Sequence, residues 1–332
     1  MLSPLASSRV LVTGGAGFIG SNLVESLLEQ GCQVTCLDNF ATGKHENIAP
    51  FLDHPGFTLI TGDIRDLETC RTAVAGQEFV LHQAALGSVP RSINDPMTST
   101  AVNICGFVNM LYAAGEAKVR RFVYAASSST YGDSTELPKV EDRIGKSLSP
   151  YAITKYVNEL FAENFHQLYG IDCIGLRYFN VFGRRQDPFG AYAAVIPKFV
   201  ISLLRHQRPV INGDGTYSRD FTYIDNVIQA NCLALLVTRP EALNQVYNVA
   251  CGERIDLNTL FKTLRQNLSQ FDPQVAAIEP QYGPVRKGDV PHSLASIAKI
   301  KDLLGYQPQF NTIQGLAAAT QWYYENLPRQ SL

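Results

Sequence analysis

The sequence predicts an α/β fold with a doubly wound parallel sheet and a second, smaller mixed α/β lobe. Short apolar runs alternate with stretches of helical periodicity through the first half of the chain, which is typical of parallel strands covered by helices on both faces. The first apolar run ends in a glycine-rich turn. After about Gly183, proline and glycine residues interrupt the alternation, which indicates a different lobe.

Each element follows from the spacing of apolar residues. Strands are expected over 10–12, 33–37, 57–60, 79–82, 121–125 and 173–176. Helices are expected over 18–30, 97–117 and 150–169, and in the second lobe over 195–205, 226–236, 257–268 and 313–324. We therefore predict a sheet domain over 1–183 and a lobe over 184–332, with the chain able to cross back between them. The ligand cleft should lie at the carboxyl ends of the strands.

The composition argues against several classes of function. The 332 residues carry 28 Lys+Arg and 30 Asp+Glu, so the net charge is −2, whereas a nucleic-acid or anionic-membrane binder normally has a basic surplus. No apolar run approaches the ~20 residues of a membrane span, and residues 1–8 do not have the pattern of a signal peptide. Seven cysteines include no Cys-x-x-Cys pair and no zinc-site spacing. We expect free thiols in a reducing compartment, the cytoplasm, and no metal.

The glycine-rich turn predicts a dinucleotide site. Gly14 permits the tight turn, Gly17 lets the backbone approach a pyrophosphate, and Gly20 lets the helix pack on the strand. Phe18 and Ile19 begin the helix, whose first N–H groups and positive dipole would face the phosphates. The first domain is therefore expected to be of the Rossmann type.

An acid at the end of the second strand predicts which dinucleotide is bound. Asp38 lies 18 residues after Gly20, close to the ~20 expected for the acid that binds a ribose 2′-hydroxyl. Because a carboxylate repels a 2′-phosphate, NAD is favoured over NADP. Asn39 and Gly43 are expected to lie on the adenosine side.

Two later strand ends carry polar residues with more than one interpretation. Asp63, followed by Ile64, either contacts the adenine edge or caps the next helix. His82 ends the fourth strand near the predicted cofactor. A hydrogen-bonded structural histidine is favoured there, because no metal-ligand set accompanies it.

A tyrosine, a lysine and a hydroxyl cluster predict a catalytic site. Tyr151 and Lys155 are four residues apart and share one face of the predicted helix. A free tyrosine has a pKa of about 10, and a lysine one turn away beside a positive nicotinamide would lower it. Ser127, followed by Ser128 and Ser129, ends the fifth strand. Ser127 could bond the same substrate hydroxyl as the tyrosine, although a plain polar turn is the alternative.

These residues resemble the extended short-chain dehydrogenase/reductase family over nearly the whole chain. The matching motifs are 13–20, Asp63-Ile64, Ala84-Ala85, 127–132, Tyr151-x-x-x-Lys155 and 177–180. Segments 88–92, 183–188 and 288–293 are similar to those of UDP-N-acetylglucosamine 4-epimerases of bacterial surface-polysaccharide pathways, such as O-antigen and lipopolysaccharide synthesis.

The resemblance implies an isomerase that inverts C4 of a UDP-N-acetylhexosamine through a transient 4-keto sugar, with NAD regenerated in each cycle. Tyr151 would take the proton of the 4-hydroxyl with Ser127 bridging, and Lys155 would bind the nicotinamide ribose. The resemblance also places Ala84 and Tyr178 at the cofactor, and it implies a homodimer joined by helices 97–117 and 150–169. The implied substrate residues are Gly87, Ser88, Arg91, Ser127, Ser128, Ser129, Asn180, Ala194, Val195, Arg219, Arg286, Asp289 and Ser293.

Several alternatives stay open. A UDP-glucose/UDP-galactose or UDP-glucuronate 4-epimerase would share the same core. By resemblance, epimerases restricted to non-acetylated hexoses carry a tyrosine where this chain has Ser293, which favours the acetylated pair. A 4,6-dehydratase would need Asp and Glu at the positions of Ser128 and Ser129. The absence of these acids argues less firmly against a decarboxylase. A non-catalytic nucleotide-sensing module is disfavoured by the intact tyrosine–lysine pair. Ser296 departs from the Ala-Asp usual in the family, although it could still cap the next helix.

Overall fold

The structure is a computed structural model that describes residues 4–189, 193–285 and 290–327. Its strands are β1 Arg9–Thr13, β2 Gln33–Asp38, β3 Phe57–Thr61, β4 Phe79–His82, β5 Arg121–Ser127, β6 Cys173–Tyr178, β7 Val181–Phe182, β8 Val210–Asn212, β9 Ser218–Arg219, β10 Thr222–Tyr223, β11 Gln245–Val249, β12 Ile255–Asp256 and β13 Gln281–Gly283. Its α-helices are α1 Phe18–Glu29, α2 His45–Ile48, α3 Leu67–Val74, α4 Val89–Asn94, α5 Pro96–Thr100, α6 Phe107–Glu116, α7 Pro150–Tyr169, α8 Val195–Leu204, α9 Ile224–Leu236, α10 Leu257–Ser269, α11 Ala298–Leu304 and α12 Thr312–Asn326.

Seven parallel strands form the central sheet in the order β11-β6-β5-β4-β1-β2-β3. Successive residues of β1 point to opposite faces, and both faces are covered. Val10 and Val12 pack with α1 and α9, whereas Leu11 packs with α3 and α6. The predicted doubly wound α/β fold is therefore confirmed. The order reverses between β1 and β4, and their carboxyl ends are where such folds bind ligands.

Helix α7 matches its predicted bounds because the sequence supplies both end signals. The Ala152 N–H donates to the Ser149 side chain at the start, and Pro150 occupies the first turn, where a missing N–H costs nothing. Gly170 ends the helix in the left-handed conformation, with φ 70°.

The predicted helix over 97–117 is interrupted. It consists of α5, a π-helical segment Ala101–Gly106, and α6. In the π-helical segment the Asn103 side chain bonds the backbone of Leu86 in both directions, accepting at 2.8 Å and donating at 3.2 Å. Apolar periodicity carries no information about such a widened turn, which is why a continuous helix was expected.

The chain returns to the sheet after the predicted boundary at residue 183. Strand β11 pairs with β6 along five residues, and α9 packs on β5 and β6. The remaining strands form small two-stranded sheets, β7 with β10, β9 with β12 and β8 with β13. These pairs, with α8, α10 and α12, form the mixed lobe, whereas α11 packs on β11 and α9 of the sheet domain.

The helices and cysteines agree with the composition. Within the described ranges no helix combines the length and apolar character that crossing a bilayer requires. All seven cysteines are free thiols, as expected.

Candidate active site

A cavity of about 450 Å³ lies at the carboxyl ends of the central strands. The predicted residues that line it are Gly14, Gly17, Phe18, Ile19, Gly20, Asp38, Asn39, Asp63, Ile64, Ala84, Gly87, Ser127, Tyr151, Lys155, Tyr178 and Asn180. Both the predicted dinucleotide residues and the predicted catalytic residues therefore border one space.

The glycine turn forms one wall of this cavity, and two of its glycines are required by close approach. Gly14 has φ +68°, and a Cβ there would lie 2.8 Å from the backbone of Ala84. A Cβ on Gly20 would lie 2.1 Å from the Gly14 carbonyl oxygen. The N-cap of α1 is Gly17, and no described side chain caps this end. The first N–H groups of α1 are thus placed to bind an anion.

Asp38 is oriented by the turn that it faces. One carboxylate oxygen accepts the Ala16 N–H at 2.9 Å, and the other accepts the Phe40 N–H at 2.8 Å. Burial raises the pKa of Asp38, while these backbone bonds act to lower it. Gly43 does not line the cavity, but a Cβ there would lie 2.9 Å from both carboxylate oxygens. Its missing side chain lets the loop close over Asp38.

Asp63 is not the helix cap. It binds the Arg65 guanidinium at 3.0 and 2.7 Å and accepts the Asn39 amide at 2.8 Å. These bonds, with Arg65 the largest cause, lower the pKa of Asp63 to about 2. Asp66 caps α3 instead, accepting from the backbone of Glu68 and Thr69. The alternative of a capping role for Asp63 is wrong, and the carboxylate stays ionised at the cavity wall.

Helix α7 holds Lys155 against the end of β5. The Lys155 ammonium donates to the Ala125 carbonyl oxygen at 2.8 Å. Burial lowers the pKa of Lys155 to about 8, and the nearby Glu159 carboxylate opposes this shift. Tyr151 is fixed at the start of the same helix, where its backbone N–H donates to the Ser92 hydroxyl at 3.0 Å.

Ser127 connects the hydroxyl cluster to Tyr151. Its oxygen accepts the Ser129 N–H at 3.1 Å and the Ser129 hydroxyl at 2.9 Å. The Ser127 hydroxyl is also hydrogen-bonded to the Tyr151 phenol. Burial raises the pKa of Tyr151, and this bond lowers it. Burial has the larger effect on this pKa, and the expectation that Lys155 beside a nicotinamide lowers it stays a prediction.

His82 has the structural role that was favoured. It is buried, and its Nδ1 lies 3.0 Å from the Thr13 hydroxyl. Thr13 also accepts the Ala84 N–H at 3.2 Å. Burial and the charge of Lys155 lower the pKa of His82 to about 3, so the ring is neutral.

A second, smaller cavity of about 170 Å³ adjoins the first at Asn180, which lines both. Val195 and Arg219 line it, together with the aromatic rings of Tyr217 and Phe221. The Arg219 guanidinium donates to the carbonyl oxygens of Ser218 and Pro291 at 3.0 Å, which fixes it on this wall. Asn180 is held by a 2.8 Å bond from its amide to the Asp220 carbonyl oxygen.

The remaining predicted substrate residues within the described ranges lie outside the linings of these two cavities. Ser128 and Ser129 adjoin Ser127 in a short 3-10 turn, and Ala194 is the N-cap of α8. Ser88 caps α4 by accepting the Arg91 N–H at 3.1 Å.

Two further positions lie near the carboxyl end of the chain. Ser293 is partly buried, and its N–H donates to the Ser218 carbonyl oxygen at 3.0 Å. The Ala298 N–H lies 3.5 Å from the Ser296 hydroxyl, but the N-cap residue of α11 is Ile297 and no described side chain caps it, so Ser296 is not the cap of this helix. Arg286 and Asp289 fall outside the described residues.

Sequence reasoning missed residues of the same cavity. Gln83 follows β4 and lines the cavity beside Tyr178, and Arg65 lines it beside Asp63. For Arg65 the signal was its place two residues after the acid. Gln83 had no signal of its own, since its partner lies 148 residues away in α9.

Known proteins are similar to this chain in sequence and in fold. The chain is 34% identical to UDP-glucose 4-epimerase of Mycolicibacterium smegmatis, over 95% of this chain and 98% of that protein. It is 32% identical to UDP-glucuronate 4-epimerase 4 of Arabidopsis thaliana, over 95% of this chain and 75% of that protein. It matches the structure of UDP-N-acetylglucosamine 4-epimerase from Methanobrevibacter ruminantium M1, in complex with UDP-N-acetylmuramic acid. The TM-score is 0.90 at 35% identity, covering 97% of this chain and 100% of that one. Residues 10–250 match a described family, and the chain belongs to it: the NAD dependent epimerase/dehydratase family.

Proposed function

We propose that this protein is a UDP-sugar 4-epimerase whose preferred substrates are UDP-N-acetylglucosamine and UDP-N-acetylgalactosamine. The observation that carries epimerisation is the group formed by Tyr151, Ser127 and Lys155 at one end of the cavity, with no carboxylate in the turn beside it. The named relatives act on UDP-glucose, UDP-glucuronate or UDP-N-acetylglucosamine, so the choice of sugar rests on the local features described below.

The cavity fits NAD. Gly14 and Gly20 leave room that a Cβ would fill, the uncapped start of α1 suits a pyrophosphate, and Asp38 suits a ribose 2′-hydroxyl. Lys155 would hold the nicotinamide ribose, as the family resemblance implies. When bound, NAD supplies reversible hydride acceptance at the sugar C4.

Side chains of the protein remove and return the proton of the sugar 4-hydroxyl. Tyr151 must act as a phenolate to take the proton of the 4-hydroxyl and must return it after the sugar has turned. The hydrogen bond between Ser127 and Tyr151 lowers the pKa of Tyr151 and so favours the phenolate form. The expected bridging role of Ser127 between the sugar hydroxyl and Tyr151 stays a prediction.

The family also contains dehydratases, and the turn after Ser127 separates the two reactions. Expelling water from a sugar needs an added acid and base. Ser128 and Ser129 occupy those positions, and the Ser129 hydroxyl is already bonded to Ser127. Hydroxyl groups do not titrate in the range that such a reaction needs, so epimerisation is the better assignment.

The smaller cavity suits the nucleotide. Tyr217 and Phe221 offer rings to a uracil, and Arg219 offers a guanidinium to a phosphate. Asn180 lines both cavities, so one extended UDP-sugar could place its base in one and its hexose in the other. The assignments of Arg286 and Asp289 to the phosphates and the uridine ribose stay predictions.

Space and charge at the sugar end favour a neutral, bulky hexose. A Cβ on Gly87 would meet nothing within 4 Å, so this wall has room for an N-acetyl group. Among the described residues lining the cavity, the basic side chains are Arg65, paired with Asp63, and Lys155. A glucuronate carboxylate would find no additional cation in that set.

Purified enzyme incubated with each of UDP-Glc, UDP-Gal, UDP-GlcNAc, UDP-GalNAc and UDP-GlcA, without added reductant, tests the proposal. We expect 4-epimer formation with the two acetylated sugars and a kcat/KM at least ~10-fold lower for the others, the effect of about 1.4 kcal/mol. Greater turnover of a non-acetylated sugar would overturn the specificity. Absence of any 4-epimer would overturn the epimerase assignment.

We also propose that the protein is a homodimer whose subunits contact each other through α5 and α7. We place it in the cytoplasm, where it would supply UDP-sugars to surface-polysaccharide synthesis. Met97 is 79% exposed, and Ile153, Leu160 and Leu168 are 50%, 48% and 68% exposed on α7. Such an apolar face favours a second copy. Leu160→Arg should give a monomer by analytical ultracentrifugation, whereas Leu52→Arg, a similarly exposed leucine elsewhere, should not. A monomeric wild type would refute the dimer.

A further inference from the structure

Three side chains at the inner wall of the large cavity form a closed ring of hydrogen bonds. The Tyr178 hydroxyl donates to the Gln83 side-chain oxygen at 3.2 Å. The Gln83 amide nitrogen donates to the Asn231 side-chain oxygen at 3.4 Å, and the Asn231 nitrogen donates to the Tyr178 oxygen at 3.0 Å. The Asn231 side-chain oxygen lies 3.3 Å from the same Tyr178 hydroxyl and is its alternative acceptor.

The orientation of the Asn231 amide is fixed by the backbone of its own helix. Its nitrogen also donates to the Val227 carbonyl oxygen at 2.8 Å, one turn earlier in α9. A carbonyl oxygen only accepts, so the amide cannot be reversed without losing this bond. Asn231 is fully buried and does not line the cavity, whereas Gln83 and Tyr178 do. Any influence of Asn231 on a ligand must therefore pass through these two residues.

The surroundings of Tyr178 affect its proton differently from those of Tyr151, the proposed base in the same cavity. Burial raises the pKa of Tyr178 to about 12, and the bonds from Asn231 and Gln83 only partly oppose it. Within the ring the Tyr178 proton has two acceptors, the side-chain oxygens of Gln83 and Asn231. Tyr151 is instead hydrogen-bonded to Ser127, and this bond favours loss of its proton.

We propose that Asn231 is a positioning residue of the cofactor site, which holds Tyr178 as a neutral, immobile phenol and Gln83 in one orientation beside the nicotinamide end of the cavity. The amide and the phenol would then meet the cofactor already ordered, so binding would not cost their side-chain entropy. The effect on turnover rests on the proposed function, whereas the effect on NAD affinity does not.

The test measures NAD affinity by calorimetry on protein freed of nucleotide. Asn231→Leu removes the amide at similar volume, and we expect it to weaken NAD binding about fivefold, the effect of one net hydrogen bond. Gln229→Leu makes the same type of change on the same helix outside the ring and should leave the affinity unchanged. Asn231→Leu should have little effect on NAD binding when Tyr178 is already Phe, because the ring is then open.

Gln83→Met opens the ring from the β4 side and replaces Asn231→Leu if that variant does not fold. With a UDP-sugar that is turned over, ring variants should lower kcat severalfold and leave KM for the sugar unchanged. Wild-type NAD affinity in the ring variants would overturn the proposal. So would full additivity of Asn231→Leu and Tyr178→Phe, which would indicate a purely structural role for Asn231. Absence of turnover with every UDP-hexose would count against the proposed function alone, since NAD affinity remains measurable.

Discussion

Removing one hydroxyl group beside Ser127 should alter the pH dependence of turnover. Ser129→Ala deletes the 2.9 Å bond that the Ser129 hydroxyl donates to Ser127 and keeps the 3.1 Å bond from the backbone N–H. Without the Ser129 hydroxyl, the Ser127 hydroxyl can rotate. Its hydrogen bond with Tyr151 is then formed for only part of the time. That bond lowers the pKa of Tyr151. Weakening it should therefore raise the pKa of the base.

The magnitude follows from the loss of a single neutral hydrogen bond, about 1 kcal/mol, which corresponds to about a fivefold loss in rate. The direction of the change in kcat/KM with pH follows because Tyr151 must be a phenolate to act as the base. At low pH the variant has less phenolate than wild type, so kcat/KM shows the whole fivefold loss. At high pH Tyr151 is deprotonated in both proteins, and the loss disappears. The assay is kcat/KM against pH with the preferred UDP-sugar. Ser129→Thr, which keeps the hydroxyl, is the control and should restore the profile. A uniform loss at all pH values, or an unchanged profile, would refute the reasoning.

Three other predictions concern individual side chains. Tyr151→Phe should keep the fold and the bound NAD and lower turnover by at least ~10²-fold, as expected for loss of a general base; turnover near that of wild type would contradict the assignment. Asp38→Ala should narrow the preference for NAD over NADP in a binding titration, because the carboxylate repels a 2′-phosphate; wild-type protein that binds both equally would contradict the role. Ser293→Tyr should suppress interconversion of the acetylated sugars and spare UDP-Glc and UDP-Gal, since overpacking costs about 1–3 kcal/mol. An equal fall in kcat/KM for both pairs would show that Ser293 is structural.

The parts of the site that the sequence predicted share a local signal. The glycine turn, Asp38 and the pair Tyr151–Lys155 are each recognised from spacing within one strand–helix unit, and all of them line the cavity. The widened turn at Ala101–Gly106 has no such signal, because it depends on a bond from Asn103 to a distant backbone.

Other features depend on pairing between distant segments. Strand β11 is a five-residue run with two amides, and only its register against β6 identifies it as part of the sheet. Asp63 and Asp66 are equally good caps by sequence, and the contact of Asp63 with Arg65 and Asn39 decides between them. The ring around Asn231 joins three separate parts of the chain, so no local pattern could indicate it.

The return of the chain to the central sheet has a consequence for how the protein unfolds. A fragment ending at residue 183 would lack β11 and α9, leaving one edge of β6 unpaired and the Val10–Val12 face of the sheet without part of its cover. An exposed edge and an uncovered apolar face favour aggregation over independent folding. The two ligand-binding halves are therefore not separable folding units. They should melt in a single calorimetric transition, and any change that loosens the nucleotide lobe should also reduce the cooperativity of the dinucleotide-binding sheet.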